Sequence, residues 1–276
     1  MAEPPAYPLA TGFRSVARLN LQHYLWKQQQ GYLIHPAISC MQEKSLKIAD
    51  VGTGTGIWLL DLSEQLPSTV QLDGFDIDVS QCPPRAWLPS NVAMRKLDIH
   101  DEIPKELVGV YDIINIRFFL CVVKDRDPTP IIKKSLQMLK PKGWIQWTEQ
   151  DLSTCKVVSA FTDADTKYTE QLKSFAIAPT PDWPVNHGSW VASMSETFRH
   201  AGLKYIVEDR NEKHSWNLSS SHDITLLAME EVSLKLGNAS GVHEMIQKAA
   251  LEFENNQRGV ALASDRVTVV GMKAGG

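Results

Sequence analysis

IADVGTGTGIW, residues 48–58, joins an apolar run carrying one acid to three glycines spaced two apart. Leu46–Val51 reads as a buried strand, and Ile57–Leu66 as a helix stopped by Pro67. A glycine-rich turn between a first strand and a helix is where an open parallel sheet binds a nucleotide-like ligand. Glycine takes positive φ there and lets the backbone approach without a Cβ in the way. The dinucleotide pattern GxGxxG is not met: the glycines stand at 52, 54 and 56, and Ile57 holds the place of the third.

Outward from this turn, strands and helices alternate. Phe13–Gln30 has helical periodicity, with Gly31 where a C-cap wants glycine. Further strands follow at Val70–Phe75, Val92–Leu97, Tyr111–Ile116 and Trp144–Thr148, with a helix at Pro130–Leu139 and a turn at Lys140-Pro141-Lys142-Gly143. The turn-rich QCPPRAWLPSN stands where a second crossover helix would lie. Such alternation predicts an α/β fold with a parallel sheet and right-handed crossovers. Past residue 150 the pattern changes. Helices are expected at Val191–Ala201, Ser221–Leu236 (capped by Ser221, with Asp223 on its dipole) and Gly241–Asn255. Strands are expected at Tyr205–Glu208 and Arg266–Met272.

Composition excludes several classes. Net charge is −4 and no Lys/Arg run exceeds Lys133-Lys134, which argues against nucleic acid as the main partner. No apolar run approaches membrane-spanning length, and no signal peptide is evident, so a cytoplasmic protein is expected. Cys40, Cys82, Cys121 and Cys155 are widely spaced and read as reduced thiols. Glu149 and Asp151 alone do not make a metal site, so no metal is expected.

The acid at 50 refines the reading. A pyrophosphate disfavours a nearby carboxylate, whereas Asp50 before Gly52, Thr53, Gly54 and Gly56 suits a ligand with an ammonium group and no phosphate. S-adenosyl-L-methionine has both properties, and Asp50 is expected to hold its amino group directly or through water. Asp76, ending the second strand in GFDID, is placed to accept the ribose hydroxyls, with Ile77 against the adenine face. Asp98 and Ile99 follow the third strand, and Asn115 and Arg117 end the fourth at the mouth of the site. Solvated acids at loop starts are the plain alternative for Asp76 and Asp98, and a surface pair with Asp112 or Asp125 the alternative for Arg117.

DVGTGTGIWLLDL, GFDID, WLPSN, KLDIHDEIP, ELVGVYDIINIRFFLCVV and MLKPKGWIQWTEQD together resemble the class I S-adenosylmethionine-dependent methyltransferases. More narrowly, they are similar to a fungal group associated with secondary-metabolite pathways. The resemblance spans residues 14–151 and includes RLNLQHYLW in the first helix. It implies a seven-stranded, mostly parallel Rossmann-like sheet whose last strand is antiparallel, with helical lid and cap insertions. One domain over 1–276 is then expected: an arm and lid helix at 1–31, a cofactor-binding core at 44–151, and caps at 152–190 and 214–256.

The resemblance lays the first helix over the cofactor, which brings in Gln22 and His23. The aromatic segment Phe161–Trp190 suits the wall of an apolar pocket, with Phe175, Trp183, Phe118 and Phe119 as lining candidates. His187, Glu149 and His23 are the candidate bases. The expected partner is a small-molecule metabolite methylated on oxygen, nitrogen or sulfur, and a homodimer is left open. Two other readings stand beside this one: a cofactor-binding regulator or complex subunit, and a methyltransferase fold repurposed as a cyclase.

Overall fold

A computed structural model describes residues 9, 11–42, 45–177, 190–212, 215–236 and 241–275. In chain order the elements are α1 (Phe13–Gln30), β1 (Lys47–Val51), α2 (Ile57–Ser63), β2 (Gln71–Asp76), β3 (Val92–Lys96), β4 (Tyr111–Arg117), α3 (Thr129–Met138) and β5 (Leu139–Ser159). Then come α4 (Lys167–Ile177), α5 (Met194–His200), β6 (Lys204–Asn211), α6 (Leu218–Leu236), α7 (Val242–Asn255) and β7 (Val260–Met272). The strands form a seven-stranded sheet in the order β3-β2-β1-β4-β5-β7-β6, with β7 antiparallel to both neighbours. The order reverses between β1 and β4, which is where such a sheet opens a crevice at its strand ends.

Alternation along each strand divides the sheet's two faces. Ala49, Val51, Ile114, Ile116, Trp147 and Val269 belong to one large apolar core. Ile48, Ile113, Trp144 and Val270 belong to a second core with α2 residues Trp58, Leu59 and Leu62. Fully burying one such side chain contributes about 1.5–3 kcal/mol. The second face changes character toward the carboxyl edge. Above its apolar base, Asp50, Asn115 and Gln146 stand in register, and Arg117, Thr148 and Thr268 follow one pleat further on.

Several boundaries differ from the sequence reading. Lys140–Gly143 is a bulge within β5 rather than a turn before it, placed between the pairs Tyr111–Leu139 and Ile113–Trp144. β5 runs on to Ser159 and β7 begins at Val260, so Lys156–Ser159 pairs with Val260–Ala263 in a ribbon beyond the carboxyl edge. α4 and α7 pack on that ribbon through Leu172, Val242, Ile246, Ala249 and Leu262. This places the cap helices on the crevice side of the sheet. α6 starts at Leu218, so Ser221 lies inside its first turns and bonds Asn217 Oδ1 at 3.1 Å instead of capping it. Asp223 pairs with Arg258 at 2.5 Å rather than serving the helix dipole. α2 ends at Ser63, three residues before the expected stop. Gly31 does close α1, at φ 77°, its N–H bonding Lys27 O at 2.8 Å. Among the described residues no disulfide joins the four cysteines. Among the described residues no helix is long and apolar enough to cross a membrane.

Candidate functional site

All three loop glycines adopt the left-handed region, with φ 71°, 57° and 77° at 52, 54 and 56. Gly52 N and Thr53 N both donate to Phe75 O, at 2.8 and 2.9 Å, folding the loop over the end of β2. Gly54 N donates to Asp76 Oδ2 at 2.8 Å, and Asp78 N to Asp76 Oδ1 at 3.2 Å. Burial raises the Asp76 carboxyl above its ordinary range, and these N–H groups pull it back. Beside it Ile77 is 54% exposed, an apolar side chain offered to a ligand. Asp98, half-buried, accepts from His100 N at 2.9 Å, while Ile99 is buried in the first core.

Asp50 is buried, and both its oxygens are engaged: Thr53 Oγ1 donates at 2.8 Å and Asn115 Nδ2 at 2.7 Å. Asn115 Oδ1 in turn accepts from Gln146 Nε2 at 2.9 Å, and Gln146 Oε1 from His35 N at 2.7 Å. This polar row crosses three adjacent strands and fixes the glycine loop to the sheet. Burial pushes the Asp50 carboxyl upward, opposed by Arg117, Asn115 and Thr53. Two accepted hydrogen bonds suit the carboxylate form.

α1 lies across the crevice and is tied down along its length. Arg18 makes a buried bidentate pair with Glu231 of α6, at 2.8 and 2.9 Å, and donates to Gln22 Oε1 at 3.2 Å. Thr55 Oγ1 bonds Asn20 Oδ1 at 2.8 Å, and the Leu19 side chain stands over Gly54. His23 Nε2 donates to Asp61 Oδ2 at 2.8 Å, Lys27 holds the other Asp61 oxygen at 2.7 Å, and Gln30 reaches Thr268 at 2.7 Å. Arg117 is half-buried, its Nη1 at 3.3 Å from His23 Nδ1, so it does not form the surface pair with Asp112 or Asp125. Asp112 pairs with Lys140 instead.

These contacts sort the candidate bases. Burial, then the Arg117 charge, lowers His23 to about 4. Both its ring nitrogens are engaged, so in this arrangement it positions other groups rather than receiving a proton. Glu149 lies on the opposite sheet face from Arg117, wholly buried. Its Oε1 accepts from Phe119 N and from Trp147 Nε1, and its Oε2 is buried without a partner among the described residues. His187 and Trp183 lie outside the described residues. Of the pocket candidates, Phe119 is buried over Gly52 and packs on Trp147, Phe118 stacks on Trp26 at 3.7 Å, and Phe175 is half-buried between the first core and the cap. Two open grooves of about 380 Å³ lie elsewhere, one between α6 and α7 and one beside Tyr24 and Gly31.

Glu149 yields a pH prediction. Burial pushes its pKa from 4.5 up to about 8, so the folded state keeps a proton that the unfolded chain has lost. Its contribution to stability is therefore complete below about pH 4.5 and is lost as pH rises to about 8, at up to about 1.4 kcal/mol per unit. Glu149→Gln should flatten this loss in urea titrations between those limits. A variant with the wild-type slope would remove Glu149 as its source.

Sequence reasoning missed Gln146, Thr148, Asp61, Glu231 and Arg266 at this site. WIQWT and RVTVV did carry a signal, since each puts polar residues on alternate positions of a buried strand.

A mixed sheet of this order, with a glycine loop after β1 and acids at the ends of β1 and β2, defines a class I methyltransferase. The chain belongs to the methyltransferase domain family, whose model matches residues 25–208. It is 35% identical over 136 residues to the N-methyltransferase tcpN of Claviceps purpurea, covering 49% of this chain and 48% of that protein. It is 36% identical over 153 residues to the methyltransferase grgD of a Penicillium species, covering 52% of each. The chain thus spans about half the length of the curated relatives it matches. The likeness to the fungal group holds in these relatives. The fold matches that of the YcgJ protein from Bacillus subtilis, with TM-score 0.52 at 13% identity, covering 92% of this chain and 100% of that one.

Proposed function

We propose that this protein transfers a methyl group from S-adenosylmethionine to a nucleophilic atom, nitrogen in our reading, of a small and largely apolar metabolite. The observation that carries the reading is the bond from Gly54 N–H to Asp76. It joins the left-handed glycine loop and the strand-end acid into one surface, beneath α1 and beside the exposed Ile77. These residues fit the cofactor's chemistry. Asp76 retains lone pairs for ribose hydroxyls, Ile77 offers an apolar face to adenine, Asp98 suits the adenine amino group, and Asp50 supplies negative charge for the ammonium group. When bound, the cofactor supplies an electrophilic methyl group on a sulfonium. The protein's part is positioning, with α1 keeping water from the crevice. Of the candidate bases in the described residues, Glu149 keeps one carboxyl oxygen without a partner, but that oxygen is buried on the far sheet face and the group holds its proton up to about pH 8, so it does not serve as a base at neutral pH. Nitrogen as acceptor atom is supported by the names of tcpN and of verN from Clonostachys rogersoniana, both N-methyltransferases.

Calorimetry with S-adenosylhomocysteine tests the reading. Asp76→Ala should cost about 1.5–3 kcal/mol of binding, roughly ten- to a hundredfold in affinity. Unchanged affinity in a folded variant would sink the ribose assignment. Labelled-methyl incorporation into amine-bearing metabolites, with hydroxyl analogues alongside, tests the acceptor.

A further inference from the structure

Arg266 is a buried charge that the site described above leaves unexplained. It is 2% exposed, and its charge has no carboxylate partner among the described residues. Its Nη1 makes one long contact with Leu25 O, at 3.4 Å, and its guanidinium lies 4.4 Å from the Trp26 ring. The Nε atoms of both Arg266 and Arg117 are buried without a hydrogen-bond partner among the described residues. Both arginines lie on the same sheet face beneath α1: Arg117 pairs in register with Thr148, which pairs with Thr268, and Arg266 is one pleat beyond. Each charge opposes the burial of the other. A guanidinium does not escape by losing its proton, because its intrinsic pKa is too high.

The charges nearby do not cancel. Asp50 and Asp61 act on Arg117, and Lys27 holds Asp61. No carboxylate acts on Arg266 among the described residues, where the charge beside it is that of Arg117. Buried charges are ordinarily paired, so the cluster is one anion short.

We infer that Arg117 and Arg266 together form a binding site for one ligand carboxylate, closed over by His23 and Trp26 of α1. Two paired N–H forks suit a planar carboxylate. The carboxylate has two sources: the amino-acid end of the cofactor, or an acidic group on the acceptor. Arg266 stands on β7, on the far side of β4 and β5 from the ribose acid on β2, which favours the acceptor. The ligand identities rest on the proposed function; the site itself does not.

Calorimetry on the wild type, Arg266→Met and Arg266→Lys tests the inference. The probes are S-adenosylhomocysteine, 5′-methylthioadenosine (the same nucleoside without the amino-acid end), and anthranilate against anthranilamide in protein saturated with S-adenosylhomocysteine. For an acceptor carboxylate, the wild type prefers the acid over the amide by about tenfold or more, Arg266→Met loses that preference, and Arg266→Lys keeps part of it. For a cofactor carboxylate, Arg266→Met weakens S-adenosylhomocysteine about tenfold and leaves 5′-methylthioadenosine unchanged. Either result supports the site. No acid preference in the wild type, with S-adenosylhomocysteine affinity unchanged in both variants, overturns it. Failure of the wild type to bind either nucleoside overturns the proposed function instead, and anthranilate against its amide in nucleoside-free protein then decides the anion site. Arg266→Met should also raise the melting temperature of the ligand-free protein, since it removes an unpaired buried charge. A lower melting temperature with unchanged binding marks Arg266 as purely structural and also overturns the site.

Discussion

Arg18→Ala should destabilise the protein by about 3–5 kcal/mol and release the lid helix from the cap. Arg18 is 3% exposed and Glu231 7%, and the two meet through a pair of parallel hydrogen bonds. Ser15 Oγ and Gln22 Oε1 complete the cluster from the next turns of α1. Truncating the arginine leaves a buried carboxylate with only the Ser15 contact at 3.5 Å, and that uncompensated charge sets the size of the loss. Replacing both partners with apolar residues, as in Arg18→Met with Glu231→Leu, should restore most of the stability, because no charge is stranded. Urea unfolding measures the energies, and hydrogen exchange along Phe13–Gln30 reports whether α1 opens. A single substitution costing less than about 1 kcal/mol would show that the other ties hold α1 closed.

The second large effect is expected at Gly52. A Cβ placed there would stand 2.2 Å from Phe119 Cε2 and 2.8 Å from its Cζ. Phe119 cannot easily yield. It is 4% exposed, its ring packs edge-on against Trp147, and its backbone N–H bonds the buried Glu149. Gly52→Ala should therefore cost about 2–4 kcal/mol, from positive φ and overpacking together, and should abolish binding of S-adenosylhomocysteine by displacing the loop. Gly109→Ala is the control. Its φ of 69° is similar, but nothing lies within 4 Å of the added carbon, so only the backbone penalty of about 1 kcal/mol remains. Equal losses at the two positions would mean that Phe119 contributes nothing to the requirement for glycine.

The two substitutions also mark different depths of legibility. Gly52 is legible because its reason is local: a continuously buried strand ends, a tight turn follows, and Asp76 stands at the end of the next strand. The same local logic located seven strand cores and the C-cap at Gly31. It failed where neighbours are distant in sequence. Lys156–Ser159 carries no clear strand pattern, and only pairing with Val260–Ala263 makes it one. α4, within the aromatic segment Phe161–Trp190, has no local signal of its own because the residues that bury Leu172 lie on α7 and β7.

The sequence by itself determined the sheet, the glycine loop and the acids at the strand ends, since these follow from periods of two and from turn chemistry within a dozen residues. The tertiary structure alone decided which groups hold each acid and each buried charge in place. Asp50 is held on both oxygens, by Thr53 of the glycine loop and by Asn115, its register partner on β4, so the negative charge it offers is fixed in place by the fold. The partner of Arg18 lies 213 positions away, and the isolation of Arg266 exists only once α1 folds over β7. A charge's partner is set by what the fold brings beside it, and no local pattern encodes that.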